Sequence, residues 1–154
     1  MKRIARAWSY RLHRLAALDR RSFMLLVRAQ GMLVWAWWQV RRRPVGGLVE
    51  IVAPAAERTD GVVKEGSDAL QRAVGRASRH GLFRPSCLVR ALALCRMLES
   101  AGHRGAVVRV GVRKEGDGFA AHAWVELGGV AVGEDPAQVR RYVRLTDARL
   151  AALR

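Results

Sequence analysis

Cysteine is scarce: the 154 residues contain only two, Cys87 and Cys95. Two thiols make no disulfide framework. They stand eight positions apart in one helix-like stretch, about 80° from each other around a helix, so a bridge between them fits poorly. Reduced thiols in a cytosolic protein fit better. Long apolar runs are scarce too. The basic start, MKRIARAWSYRLHRL, is not followed by an uninterrupted apolar region and a cleavage site, which argues against a signal peptide. The most apolar stretch, Gly31 to Val40, is too short to span a bilayer, and Arg28 and Gln30 break its backward extension. No stable membrane insertion is expected, and a cytoplasmic location follows. There is no phosphate loop and no GxGxxG. Cys87, Cys95, His103 and His122 lack the CxxC and HxxxH spacings of a zinc site. No metal or other cofactor is expected. Internal repeats and low-complexity segments are also missing.

Acidic residues are few. Thirteen Asp and Glu face 28 Lys and Arg, a formal net charge of +15. Such a balance suits an acidic partner: nucleic acid, an anionic membrane or an acidic peptide. It also suits an arginine-rich background, since the arginines run along the whole chain. The basic residues do not cluster on one expected element, and no nucleic-acid-binding motif is present, so nucleic acid is not the expected partner.

What is present is enough apolar sequence for one domain with a real core. Trp8, Leu12, Leu15 and Leu18 have helical spacing. A second helix is expected from about Ser22 to Val40, capped by Asp19 or Ser22. Its tryptophans, Trp35, Trp37 and Trp38, spread too widely for one narrow stripe, so part of the cluster stays exposed unless a neighbour covers it. With Arg41–Arg43 behind them, they suit a core helix, a docking surface or a membrane surface. A basic Pro/Gly break, RRRPVGG, follows, and Leu48–Gly66 reads mostly as loop. A helix capped by Ser67 and stopped by Gly81 comes next, then one starting near Ser86 and ending before Gly102. After Gly102 the period changes to two. Val108, Val110 and Val112 alternate, GDG marks a turn, and Gly128-Gly129 joins two further strands as a hairpin. RRYVRLT is a short last strand. Helices followed by an antiparallel sheet predict an α+β fold, divided into a helical region (1–66) and a core (67–154).

Cys87 sits at an expected helix start. Unpaired N–H groups and the positive end of the helix dipole there favour a thiolate and can hold an oxyanion. Cys95 lies among Ala91, Leu92, Leu94 and Leu98 and reads as a buried small residue. His13, His80 and His103 lie in or near helix ends and read as surface residues. His122 stands in an apolar strand pattern. If Gly128 and Gly129 are the turn, continued pairing sets His122 opposite Asp135 and sends Glu134 to the other face; a bulge would reverse that choice. Nucleophile, base and orienting carboxylate would then be Cys87, His122 and Asp135.

The string CLVRALALCRMLESAGHRGAVVRVGV, then AHAWVEL, then EDP, resembles the transglutaminase-like cysteine protease superfamily, and more closely the leader peptidases of lasso peptide biosynthesis. The resemblance covers roughly Pro85 to Leu145. It implies a transglutaminase/papain-like core with the catalytic helix packed on an antiparallel sheet. It also implies a catalytic Cys87, His122 and Asp135, with Glu134 in reserve for the acid. The implied activity is removal of the leader from a ribosomally made precursor peptide. The implied partners are that precursor, a separate leader-recognition protein and an ATP-dependent macrolactam cyclase. A transglutaminase-like acyl transferase would use the same triad.

Overall fold

The computed structural model describes residues 19–42 and 66–145. The helical pattern around Trp8–Leu18 and all of the Leu48–Gly66 stretch except Gly66 lie outside them. Among the described residues, no helix is long and apolar enough to cross a membrane.

Helix α1 spans Arg20–Arg42. Of the two expected caps, Asp19 serves: its Oδ2 accepts the Ser22 N–H at 3.4 Å. Hydrogen bonding from Ser22, its side chain first and its backbone N–H after it, holds the Asp19 carboxyl below its ordinary pKa. Arg41 and Arg42 complement the dipole in the last turn. Ala29, Leu33 and Ala36 form the buried stripe of α1, packed against α2 (Ser67–His80) and α3 (Cys87–Ser100). Ser67 is the first helical residue of α2 rather than its cap. Gly66, at φ 109°, takes the cap position with no side-chain bond. Gly81 ends the helix as expected, its N–H bonded to the Ala77 carbonyl at 2.8 Å. Ser86 caps α3, and its Oγ accepts the Val89 N–H at 3.4 Å.

Gly102, at φ 85°, turns the chain back from α3. The turn buries His103, whose N–H bonds the Leu98 carbonyl at 3.0 Å. The expectation of a surface His103 is therefore corrected; His80 is exposed as expected. Strands β1 (Ala106–Glu115), β2 (Gly118–Leu127), β3 (Val130–Val132) and β4 (Val143–Arg144) form one antiparallel sheet in the order β3-β2-β1-β4. The fold is α+β, helices first. Side-chain alternation divides the sheet's two faces. Ala106, Val108 and Val110 of β1, with Ala123, Val125 and Leu127 of β2, join the core made with the helices. Leu33, Met97, Leu98 and Leu127 are among its fully buried side chains, each worth about 1.5–3 kcal/mol of apolar burial.

The other face carries Val107, Arg109, Gly111 and Arg113 opposite Glu126, Trp124, His122 and Ala120. It is covered by the chain itself. β3 and β4 stand on opposite edges, so residues 133–142, including the short helix α4 (Pro136–Val139), must cross from one edge to the other. Tyr142, at the end of that crossing, packs its ring on Trp124. Gly111 is required beneath it: a Cβ there would meet the Trp124 ring and Tyr142 Cβ, each at 2.9 Å.

Candidate active site

Cys87 is the first residue of α3, half-buried against the helix-side core. Ser86 Oγ satisfies the Val89 N–H, while the N–H groups of Cys87 and Leu88 precede the first intrahelical acceptor. A thiol and two backbone donors with no backbone partner among the described residues thus share one helix start. Cys95 is the opposite case. It is buried, its Sγ lies 3.3 Å from the Ala106 carbonyl oxygen, and burial, reinforced by Glu99, pushes its pKa up to about 12. Both thiols are free.

His122 is held from several sides. Its side chain is 14% exposed. Its ring is stacked on Trp124 at 6.2 Å and tilted against Tyr142 at 5.3 Å between centroids. Nε2 is buried and makes no hydrogen bond among the described residues, yet Glu134 Oε1 lies 3.5 Å away. Imidazole and carboxylate therefore face one another.

The expected opposition of His122 and Asp135 is not what the chain adopts. The hairpin at Gly128-Gly129 has the expected register at Leu127↔Val130, Glu126↔Ala131 and Val125↔Val132, and there it stops. Gly133, at φ 84°, bends the chain out of the ladder and packs against Gln71 of α2, so tightly that a Cβ would meet Gln71 Cγ at 2.9 Å. Beyond that bend Glu134 turns to His122. Asp135 caps α4, its Oδ1 accepting the Ala137 N–H at 2.9 Å.

Alternation sends His122 to the crossover-covered face, with Trp124 and Glu126, while Cys87 packs with the helix-side core. The structure thus brings together His122 and Glu134 and leaves Cys87 on the other side of the sheet. Glu126, 3% exposed, anchors this second face. Trp124 Nε1 donates to its Oε1 at 2.9 Å, Arg144 Nη2 to the same oxygen at 2.8 Å, and Arg109 Nε to Oε2 at 3.2 Å. Sequence reasoning passed over Glu126, although the period of two in HAWVE already set it on the face of His122. Nothing in the sequence marked Tyr142. Beside it opens a cavity of about 240 Å³ lined by Arg113, Asp135, Ala137, Gln138, Arg141 and Tyr142.

A family model of the transglutaminase-like superfamily matches residues 26–147, most of the chain. The chain belongs to the transglutaminase-like superfamily. Members of this superfamily are typically cysteine proteases or acyltransferases, and the α+β architecture agrees with that assignment. The match begins inside α1, so this helix is part of the superfamily region and shares its core. No curated protein and no solved structure matches the chain significantly.

Proposed function

We propose that this transglutaminase-like protein is a cysteine protease that removes the leader from a ribosomally made lasso-peptide precursor. The observation that supports it most is the pair formed by a buried, otherwise unbonded His122 Nε2 and the Glu134 carboxylate, in a superfamily of cysteine hydrolases and acyltransferases. Cys87 is the nucleophile in this reading, and His122 takes its proton. The orienting acid comes from the Glu134–Asp135 pair. Glu134 is the better placed, because Asp135 is engaged at the start of α4.

The thiolate attacks the carbonyl at the end of the leader. The N–H groups of Cys87 and Leu88 hold the oxyanion. A C–S bond forms, the C–N bond breaks, and the imidazolium gives its proton to the leaving amine, which becomes the core peptide's N-terminus. Water then hydrolyses the thioester and releases the leader as a carboxylate. Thiol and imidazole must come within hydrogen-bond reach for this, and because they lie on opposite sides of the sheet this reading requires the chain around them to rearrange when substrate binds. The free edge of β2 beside His122, where the two sheet faces meet, is where this reading has them converge.

The proposed partners are the precursor, a separate leader-recognition protein and an ATP-dependent macrolactam cyclase, all in the cytoplasm. The test combines the protein with a precursor and a recognition protein encoded by neighbouring genes, and weighs the products. A leader carboxylate and a free core peptide are expected. A conjugate of the leader with an added amine would instead make the protein an acyl transferase. An intact precursor would refute both readings.

A further inference from the structure

The sheet leaves one long edge open beside His122. Strand β3 pairs only with Val125–Leu127, so β2 from Gly118 to Trp124 has no strand on that side among the described residues. The direction of its backbone groups follows from the two hairpins. Residues flanking a two-residue turn form a hydrogen-bonded pair, and the pattern alternates along an antiparallel ladder. Glu115↔Gly118 flanks the Gly116-Asp117 turn, so Gly118, Ala120, His122 and Trp124 turn their N–H and C=O groups toward β1. Leu127↔Val130 flanks Gly128-Gly129, so Leu127 and Val125 turn theirs toward β3. The two turns give the same phase. Phe119, Ala121 and Ala123 therefore direct their groups outward, and none of them takes part in the backbone hydrogen bonds formed outside the ladders among the described residues.

Phe119 is 80% exposed and Ala121 is exposed as well. Such an edge is a template for another strand. We propose that the β2 edge binds a neutral-to-acidic peptide in extended form, as an added strand beside Gly118–His122, about five residues long at 3.3 Å per residue and stopping short of the buried Ala123. This deepens the reading of the site as a peptidase and rests on it for the role of the bound strand: substrate laid alongside His122. A net charge of +15 favours such a peptide and opposes pairing with a second copy of the chain. Arg113 and Arg141 line the cavity on the His122 face, where alternate side chains of the added strand would point.

The test uses the Cys87→Ala protein, which binds without turnover, and a pool of blocked decapeptides rich in Asp and Glu. The control is the same pool with every backbone nitrogen methylated. Hydrogen exchange at the Phe119 and Ala121 amides should slow at least about tenfold with the first pool and remain fast with the second. Ala121→Pro, which removes an outward N–H at an edge position where proline is tolerated, should weaken binding roughly three- to tenfold. Ala121→Val, which keeps the N–H, should bind as the parent does. Unchanged exchange with the first pool overturns the proposal, as does protection that rises with protein concentration without peptide. Cleavage of the precursor by the wild-type protein, with the recognition protein present, is read separately. Protection without cleavage keeps the edge site and removes the peptidase; cleavage without protection does the reverse.

Discussion

Glu134 Oε1 lies 3.5 Å from His122 Nε2, while the next residue, Asp135, gives its carboxylate to the Ala137 N–H at 2.9 Å. One residue along the chain separates a charge partner of the imidazole from a helix cap. Glu134→Gln should lower kcat by at least about tenfold, since a neutral amide neither fixes the tautomer nor stabilises the imidazolium. Asp135→Asn keeps a capping side chain and should lower kcat less. Steady-state kinetics on the two variants decides this, and the opposite order would make Asp135 the orienting acid.

The cysteines should separate by chemistry. Cys87→Ala should abolish cleavage and leave the unfolding midpoint nearly unchanged. Cys95→Ala should keep cleavage and cost on the order of 1 kcal/mol. Burial holds the Cys95 pKa at about 12, so alkylation of the folded protein near pH 8 should label Cys87 first. The folded pKa of Cys95 is raised above its unfolded value. Its contribution to stability is therefore complete below the ordinary thiol pKa and is lost as pH rises from there toward about 12. Denaturation of the wild type against Cys95→Ala between pH 7 and 11, in reductant, should show a wild-type advantage that shrinks with pH.

Glu126 predicts a structural effect without a chemical one. Its carboxylate is buried beneath Trp124, Arg109 and Arg144. Glu126→Ala leaves the Trp124 N–H and two partly exposed guanidinium groups without their partner and should cost about 1–3 kcal/mol. Glu126→Gln keeps one acceptor and should cost less. Urea unfolding measures both, and a Glu126→Ala loss below about 1 kcal/mol would show that the network contributes little.

The tryptophans of α1 carry the docking expectation. Trp35, Trp37 and Trp38 are 38%, 40% and 44% exposed, Arg42 lies 3.7 Å over the Trp38 ring, and Arg41 lies 4.9 Å over Trp37. If this surface docks the leader or its recognition protein, folded Trp38→Ala should weaken binding by about tenfold or more. Association should slow as salt rises, because arginine steering is screened. Normal binding by the variant removes the docking role, and a salt-independent association rate removes steering.

Much of this fold was legible because its signals are local. Asp19, Ser86, Gly81 and the Gly128-Gly129 turn each act within a few residues, and each marked an element boundary that the structure contains. The candidate nucleophile was legible for the same reason: a helix start needs only Ser86 and the apolar run behind it. The acid was harder. Extending the hairpin register to residue 135 assumed that the strand continues, whereas Gly133 leaves it, held against Gln71, a residue far away in sequence. The cover of the His122 face was hidden for a related reason. Tyr142 reaches it only because β4 pairs with the far edge of β1, and no local pattern states that pairing.

The most direct test of the central claim is mass spectrometry of the protein quenched in acid during turnover of a leader–core precursor with its recognition protein. The account predicts an adduct of leader mass on the peptide containing Cys87, absent from Cys87→Ala and chased by water to the free leader carboxylate. Undiminished cleavage by Cys87→Ala, or a leader adduct on any other residue, would contradict it.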